Sequence, residues 1–196
     1  NLFKELIMVI NKKLTLIFLF LMAVGICTGS FFEVFMKGEG KQQLMDMMSG
    51  FFAGESTQSF STAFFGSFKT WLIILAVLFA CPLFPPLCAL CPLIPLIKGL
   101  TLGFSATMLV ETFGLKGGWY IISTMLPHSL IQIPVLCVLT AVSLECALVV
   151  VRSFIQKKRR SINKNALQSY ARQYLVCYGA GVILIIASCM IEAFLN

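Results

Sequence analysis

The sequence predicts an all-α protein that crosses a membrane several times. Only 12% of its residues are charged, against roughly 25% in soluble domains, and the mean hydropathy is +0.93. The apolar residues form long runs, and a helix needs about 20 consecutive apolar residues to cross a bilayer. These observations exclude a soluble domain, so we expect membrane lipid around the chain. The net charge of +7 comes without base-reading motifs, and we expect no nucleic-acid partner.

The first predicted span covers residues 14–36 and follows Lys12 and Lys13. Gly25 and Gly29 lie four residues apart within it, which is the spacing of a helix-packing face in membranes. Two glycines that occur in a membrane helix without any packing role fit the same sequence, so both interpretations stay open at this point.

Residues 37–69 are predicted to lie outside the membrane core as two short amphipathic helices. Apolar side chains recur at helical spacing in two groups: Leu44, Met45, Met48, Phe51 and Phe52, then Phe60, Phe64, Phe65 and Phe68. Such faces are typical of helices in the membrane interface, and equally of helices packed onto the spans. A third interpretation makes Phe60, Phe64 and Phe68 a binding surface for a partner protein.

The next two predicted spans, 70–86 and 92–113, form a hairpin around CPLFPPLCALCPLIP, residues 81–95. Prolines at this density end one helix and begin another. Cys88 and Cys91 form a CxxC, but a zinc site needs four ligands and only Cys81 is near. We therefore predict neither a metal nor a cofactor.

Residues 117–151 are too long for one span and too short for two. Pro127 divides them, which predicts a re-entrant half-helix over 118–127, broken at Pro127-His128, and then a span over 129–151 with a kink at Pro134. A backbone broken at membrane depth must be buried in protein or line a cavity.

A basic segment, 152–172, precedes the last predicted span, 174–195. It contains seven Lys or Arg residues and no acid. Because cytoplasmic loops carry the excess of positive charge, five spans place the N-terminus and this segment in the cytoplasm and the C-terminus outside.

Ionisable side chains inside the predicted spans are the candidates for functional residues, because such groups are rare at membrane depth. They are Lys98, Glu111, His128, Glu145 and Glu192. We expect Lys98 to extend toward the cytoplasmic side and the three glutamates to lie near water. His128 remains, with Gln132 one turn further on and able to share a hydrogen bond. Either His128 satisfies carbonyls freed by Pro127, or it serves chemistry.

Two functional alternatives use His128. In the first, His128 accepts the proton of the Ser105 hydroxyl and so activates it as a nucleophile, as in a rhomboid-type intramembrane protease. Rhomboids, however, place a whole further helix between the two residues, and none is predicted here. In the second, the broken helix forms the midplane site of a transporter for an ion or small molecule. Transporters usually pair broken helices in repeated halves, and only one such helix is predicted. We therefore expect a protein that is not an enzyme and has no catalytic residue.

The segments IKGLTLGFSATMLVETFGLKG and MLPHSLIQIPVLCVLTAVSL resemble the stage II sporulation protein M family. The resemblance covers residues 98–145. In that family a GxxxGF helix precedes a glycine-containing loop, and a Pro-His or Pro-Gln element then opens a helix with a second proline. The corresponding positions here are Gly99, Gly103 and Phe104, then Gly114, Gly117 and Gly118, then Leu126, Pro127, His128 and Pro134. Lys98 and Gln132 complete the set of candidate motif residues in this region.

The resemblance implies a non-enzymatic membrane protein of spore-forming bacteria. Such proteins act in the mother-cell membrane at the sporulation septum. There they anchor two peptidoglycan-degrading enzymes, stage II sporulation proteins D and P, so that the wall is remodelled and engulfment proceeds. The oligomeric state stays open, a homo-oligomer included. As a family element, the Pro-His pair is expected to shape the fold.

Overall fold

The structure is a computed structural model that describes residues 12–36, 38–52, 60–82, 84, 90–156 and 164–195. The described chain consists of helices and turns, without a strand, as predicted. The elements are α1 (Lys12–Phe35), α2 (Glu39–Phe52), α3 (Phe60–Ala80), α4 (Leu93–Phe113), α5 (Leu115–Tyr120), a π-helical segment (Ile121–Met125), α6 (Leu126–Gln156) and α7 (Lys164–Leu195).

Four helical stretches in the described residues are long and apolar enough to cross a membrane: Lys12–Phe35, Leu93–Phe113, Leu126–Val151 and Ala171–Glu192. A shorter apolar helix covers Phe68–Ala80. The multi-pass architecture is therefore confirmed. The predicted count of five is not, because the helix expected over 70–86 ends at Ala80, two residues before Pro82.

The α1–α4 pair has the most extensive contact between helices in the described chain. Four glycines lie where the two backbones cross: Gly25, Gly29, Gly99 and Gly103. A Cβ at Gly29 would come within 3.0 Å of the Leu100 carbonyl, and a Cβ at Gly103 within 3.0 Å of the Ile26 carbonyl. Close backbone approach maximises van der Waals contact between helices in lipid. The packing interpretation of Gly25 and Gly29 is thus confirmed.

The prediction of a helix broken at Pro127-His128 was wrong. Helical backbone runs without interruption from Leu115 through the π-helical segment to Gln156. Pro127 has no N–H, and its ring excludes the carbonyl four residues earlier. The wider π-helical turn directly before it, in which the Leu126 N–H donates to the Ile121 carbonyl, lets the helix continue. The half-helix over 118–127 is thus part of one long helical path that starts after the Gly114 turn.

Helix α7 packs against α6 and α3. The buried residues of this core are Trp71, Leu75, Leu78, Leu136, Leu139, Ile185 and Cys189. One hydrogen bond in it follows directly from the sequence. Pro82 has no N–H to offer the carbonyl of Leu78, four residues earlier, and the Tyr174 hydroxyl donates to that carbonyl at 3.2 Å instead.

Of the two amphipathic helices predicted over 37–69, only the first is separate. It corresponds to α2, whereas the second is the N-terminal part of α3, which continues from Phe60 into the apolar helix. The side chains of Phe60 and Phe64 lie outside the described residues, and Phe68 is partly buried. The side chains of the basic segment are likewise outside them, except at 171 and 172.

Candidate functional site

A cavity of about 180 Å³ lies where α1, α3, α4, α6 and α7 meet. Its polar lining consists of Thr70, Trp71, Lys98, Thr101, His128, Gln132 and Glu192, and its apolar lining of Met22, Leu102, Ile133 and Leu136. We call this space the polar cavity. Four residues singled out from the sequence, on three different helices, thus line one site: Lys98, His128, Gln132 and Glu192.

Lys98 supplies the positive charge of the polar cavity. Its Nζ lies 4.6 Å from the centroid of the Trp71 ring. A cation over an indole face is attracted by the ring quadrupole, and more strongly when it is partly removed from water. Lys98 is partly buried, so the expectation that it extends along its own helix toward the cytoplasm is replaced by a contact with α3.

Gln132 is a buried polar side chain among those that line the cavity, with 9% exposure. Its Nε2 has no hydrogen-bond partner. A buried donor without an acceptor costs about 1–3 kcal/mol. His128 lies one turn earlier on the same helix and lines the same cavity, while its backbone carbonyl accepts a hydrogen bond from the Ser188 hydroxyl at 3.1 Å.

The other positions of the sequence motif do not line the polar cavity. Phe104 is partly buried on α4, with its ring centroid 6.4 Å from that of Phe32 on α1. Pro127 is partly buried directly after the π-helical segment, and Pro134 is an exposed residue inside α6. Ser105 is partly buried and does not line the cavity that His128 lines.

A second charged group ties α2 to the spans. Lys41 Nζ lies 2.7 Å from Glu111 Oε2 on α4 and 3.2 Å from Glu33 Oε1 on α1. Glu33 is 1% exposed. A reversal of the chain at Gly38, with φ of +107°, separates α1 from α2 and suits a residue without a Cβ. We call Glu33, Lys41 and Glu111 the Lys41 clamp.

The two carboxylates of the clamp act on Lys41 in the same direction. The hydrogen bond with Glu111, followed by that with Glu33, raises the pKa of Lys41 above its ordinary value. Lys41 is therefore fully protonated at neutral pH, and the clamp holds a permanent positive charge between two acids on two helices.

Residues 15–195 match the family described as stage II sporulation protein M. The chain belongs to the stage II sporulation protein M family. Neither a curated protein nor a solved structure matches it. The match extends far beyond residues 98–145, on which the resemblance in the sequence rests, and it includes most of α1 and all of α2, α3 and α7.

In this member of the stage II sporulation protein M family, sequence reasoning missed Trp71, Glu33 and Lys41, and it named Glu111 and Glu192 without assigning them to a site. Glu111 and Glu192 lie near helix ends, where we expected them to reach water. A sequence shows how far along its own helix a residue lies, but not which other helix faces it. The signal available for Trp71 was a tryptophan within an apolar helix.

The Cys-rich turn of this family member brings two cysteines together. The Sγ atoms of Cys81 and Cys91 are 2.8 Å apart, and both side chains are buried. The remaining cysteine of the CxxC, Cys88, lies outside the described residues. In the part of the chain that is described, no group of three His, Cys, Asp or Glu side chains is placed to hold a metal.

Proposed function

We propose that this protein is a non-enzymatic membrane scaffold that recruits peptidoglycan-degrading enzymes to the sporulation septum during engulfment. The partners are those that the resemblance implies, stage II sporulation proteins D and P. The observation that carries the proposal is the family match over residues 15–195, which makes the chain a sporulation membrane protein.

The α1–α4 crossing and the Lys41 clamp support a scaffold role. The crossing joins two spans through their backbones, and the clamp ties α2 to both of them. Helix α2 keeps apolar side chains exposed, above all Met47 at 77% and also Leu44. A rigid pair of spans that carries an apolar helix outside the membrane core is suited to hold a partner at the membrane surface.

The docking role of α2 is tested by co-purification. In a sporulating host, Met47→Glu should leave the protein at its normal level in the membrane and reduce the amount of wall-degrading enzyme bound to it. Leu115→Glu is the matched control, because Leu115 is 99% exposed and belongs to the turn region after α4. Equal losses of enzyme in both variants, or no loss in either, would contradict docking on α2.

The scaffold proposal places the N-terminus inside and α2 and the C-terminus outside. It rests on the Lys/Arg distribution along the sequence. In a background without cysteine, Ser49→Cys on α2 should react with an impermeant thiol reagent in intact cells, while Lys12→Cys should react only after lysis. The reverse pattern would refute this orientation.

Transport of an ion or small molecule is the second candidate, and the polar cavity is the observation that favours it. Transport requires that a ligand enter from one side and leave from the other. Purified protein in sealed vesicles should then carry solute across the bilayer, and Lys98→Met should abolish the flux. A scaffold without transport shows no flux in either case.

A further inference from the structure

We propose that the polar cavity binds a small zwitterionic group, in which an ammonium is joined to a carboxylate or a phosphate. The two donors that the cavity presents, one acceptor and its size carry the inference. It does not depend on recruitment of enzymes or on transport, because binding is measured on the purified protein alone.

The donors favour an anionic group with several oxygens. Gln132 is about nine-tenths buried and is one of the residues that line the cavity, and its Nε2 has no acceptor in the protein. Lys98 brings an ammonium to the same space, where its attraction to Trp71 leaves its N–H groups available to oxygen atoms. Hydrogen bonds from a charged donor to a carboxylate or phosphate are among the strongest in proteins. A ligand oxygen bound by both groups would satisfy the orphaned amide.

The acceptor favours an ammonium on the same ligand. Glu192 also lines the cavity, and its charge is opposite to that of Lys98. A carboxylate offers about four lone-pair positions, so it can accept from a ligand in addition to any partner in the protein. A simple anion would be repelled by Glu192, and a simple cation by Lys98. A zwitterion meets both charges favourably and brings no net charge into the membrane protein.

The size of the polar cavity restricts the ligand to a few heavy atoms. Its volume of about 180 Å³ slightly exceeds the ~150 Å³ of an engineered protein cavity that binds benzene. Glycine, alanine and a phosphoethanolamine group are of this size. Thr70 and Thr101 are exposed lining residues, so the cavity reaches the protein surface. The same chemistry can therefore come from a free amino acid or from the headgroup of phosphatidylethanolamine.

Trp71 provides the readout, because the chain has 2 tryptophans and Trp119 lies on exposed surface. A Trp119→Phe background leaves Trp71 as the fluorophore, directly under Lys98. Purified protein in detergent is titrated with glycine, alanine, acetate and ethylammonium. Nanodiscs of phosphatidylethanolamine and of phosphatidylglycerol supply the lipid arm. Lys98→Met and Gln132→Met test the site, and Lys116→Met, an exposed lysine outside the cavity, is the matched control.

A saturable change in Trp71 emission with glycine or alanine, weaker with acetate and ethylammonium, is expected for a free zwitterion. A change only in phosphatidylethanolamine nanodiscs is expected for a lipid headgroup. In either case Lys98→Met and Gln132→Met should raise the Kd by roughly tenfold or more, and Lys116→Met should leave it unchanged. Gln132→Met retains both charges, so it tests the site even where Lys98→Met does not fold.

Three outcomes overturn the proposal. The first is that no probe changes the emission of folded protein, which indicates a cavity that holds only water. The second is that acetate or ethylammonium binds as tightly as glycine and alanine. The third is that Gln132→Met binds like the parent protein, since the orphaned amide is the group that the ligand should satisfy.

Discussion

Helix α4 has two faces of opposite character. One face carries Gly99 and Gly103 and meets the backbone of α1 without side chains between them. The other carries Lys98 and Thr101 into the polar cavity. The glycine face gains stability from close contact, whereas the polar face leaves the amide of Gln132 without a partner. One face of α4 therefore contributes to stability, whereas the other lines a cavity that contains an unsatisfied buried amide. We look for function at the cavity, because ionisable and unsatisfied polar groups inside a membrane protein commonly mark functional sites.

The largest effect is expected at the glycine face. Gly103→Leu would drive a side chain into the Ile26 backbone of α1, which cannot move aside as a flexible side chain can. We expect a loss of ~3 kcal/mol or more, seen as little folded protein after detergent extraction.

Gly66→Ala is the control for that substitution, because a Cβ there meets nothing within 4 Å. Alanine is favoured over glycine inside a helix by roughly 0.5–1 kcal/mol, so this variant should be as stable as the parent or slightly more so. If both variants unfolded alike, glycine content and not the crossing would be the cause.

The next effect concerns the hydrogen bond that replaces the missing N–H of Pro82. Tyr174→Phe leaves the buried Leu78 carbonyl without this donor and should lower the free energy of unfolding by about 1–3 kcal/mol. Thermal unfolding in detergent measures the change. Tyr178→Phe should cost less, since the Leu75 carbonyl that it contacts faces an N–H, that of Phe79, four residues on within α3.

A double variant sharpens this test. Pro82→Ala supplies an N–H to the Leu78 carbonyl, so adding Tyr174→Phe to it should cost less than Tyr174→Phe alone. Equal costs in the two backgrounds would show that the Tyr174 hydroxyl acts on something other than the carbonyl that Pro82 leaves open.

At the polar cavity we expect a substitution to raise the free energy of unfolding instead of lowering it. Gln132→Leu removes a buried amide whose Nε2 has no partner, and it fills part of an apolar wall. We expect the ligand-free protein to gain about 1 kcal/mol of stability, measured by thermal unfolding. A clear loss of stability would mean that the amide is satisfied in the folded protein, and the contrast between the two faces would fail.

The smallest global effect is expected at the Lys41 clamp. Lys41→Met should leave the unfolding temperature nearly unchanged, because the clamp holds only α2 to the spans. It should make α2 more accessible to protease and to hydrogen exchange. Lys69→Met, an exposed lysine, is the control. Protection of α2 that is unchanged in Lys41→Met would show that its apolar contacts suffice.

The clamp also has a predicted pH dependence. Lys41 has a raised pKa in the folded protein, so its contribution is complete below the unfolded value of about 10.4 and is lost as the pH rises through the higher folded value. Raising the pH from 7 to 9 should therefore leave α2 protected. Release of α2 in that interval would contradict a clamp that depends on the charge of Lys41.

Much of the fold could be read from local pattern. Hydropathy placed the helices that begin at Lys12, Leu93 and Leu126 close to their observed ranges, whereas the span predicted over 70–86 runs six residues past the end of α3 at Ala80. Pro127 was located correctly as the disturbed point, but the form of the disturbance was wrong. A proline requires that one backbone hydrogen bond be rearranged, and whether the chain breaks or widens into a π-helical turn depends on what packs around it.

The sequence by itself determined the solvent, the helical character and the family of this protein, because composition and periodicity are properties of the chain alone. Only the tertiary structure decided that Gly25 and Gly29 face Gly99 and Gly103, that Lys98 lies over Trp71, and that Glu192 shares a cavity with Gln132. The physical reason is that helices associate in lipid through shape and through a few polar contacts between residues far apart in sequence. One helix specifies its own faces, and its neighbours decide what each face meets.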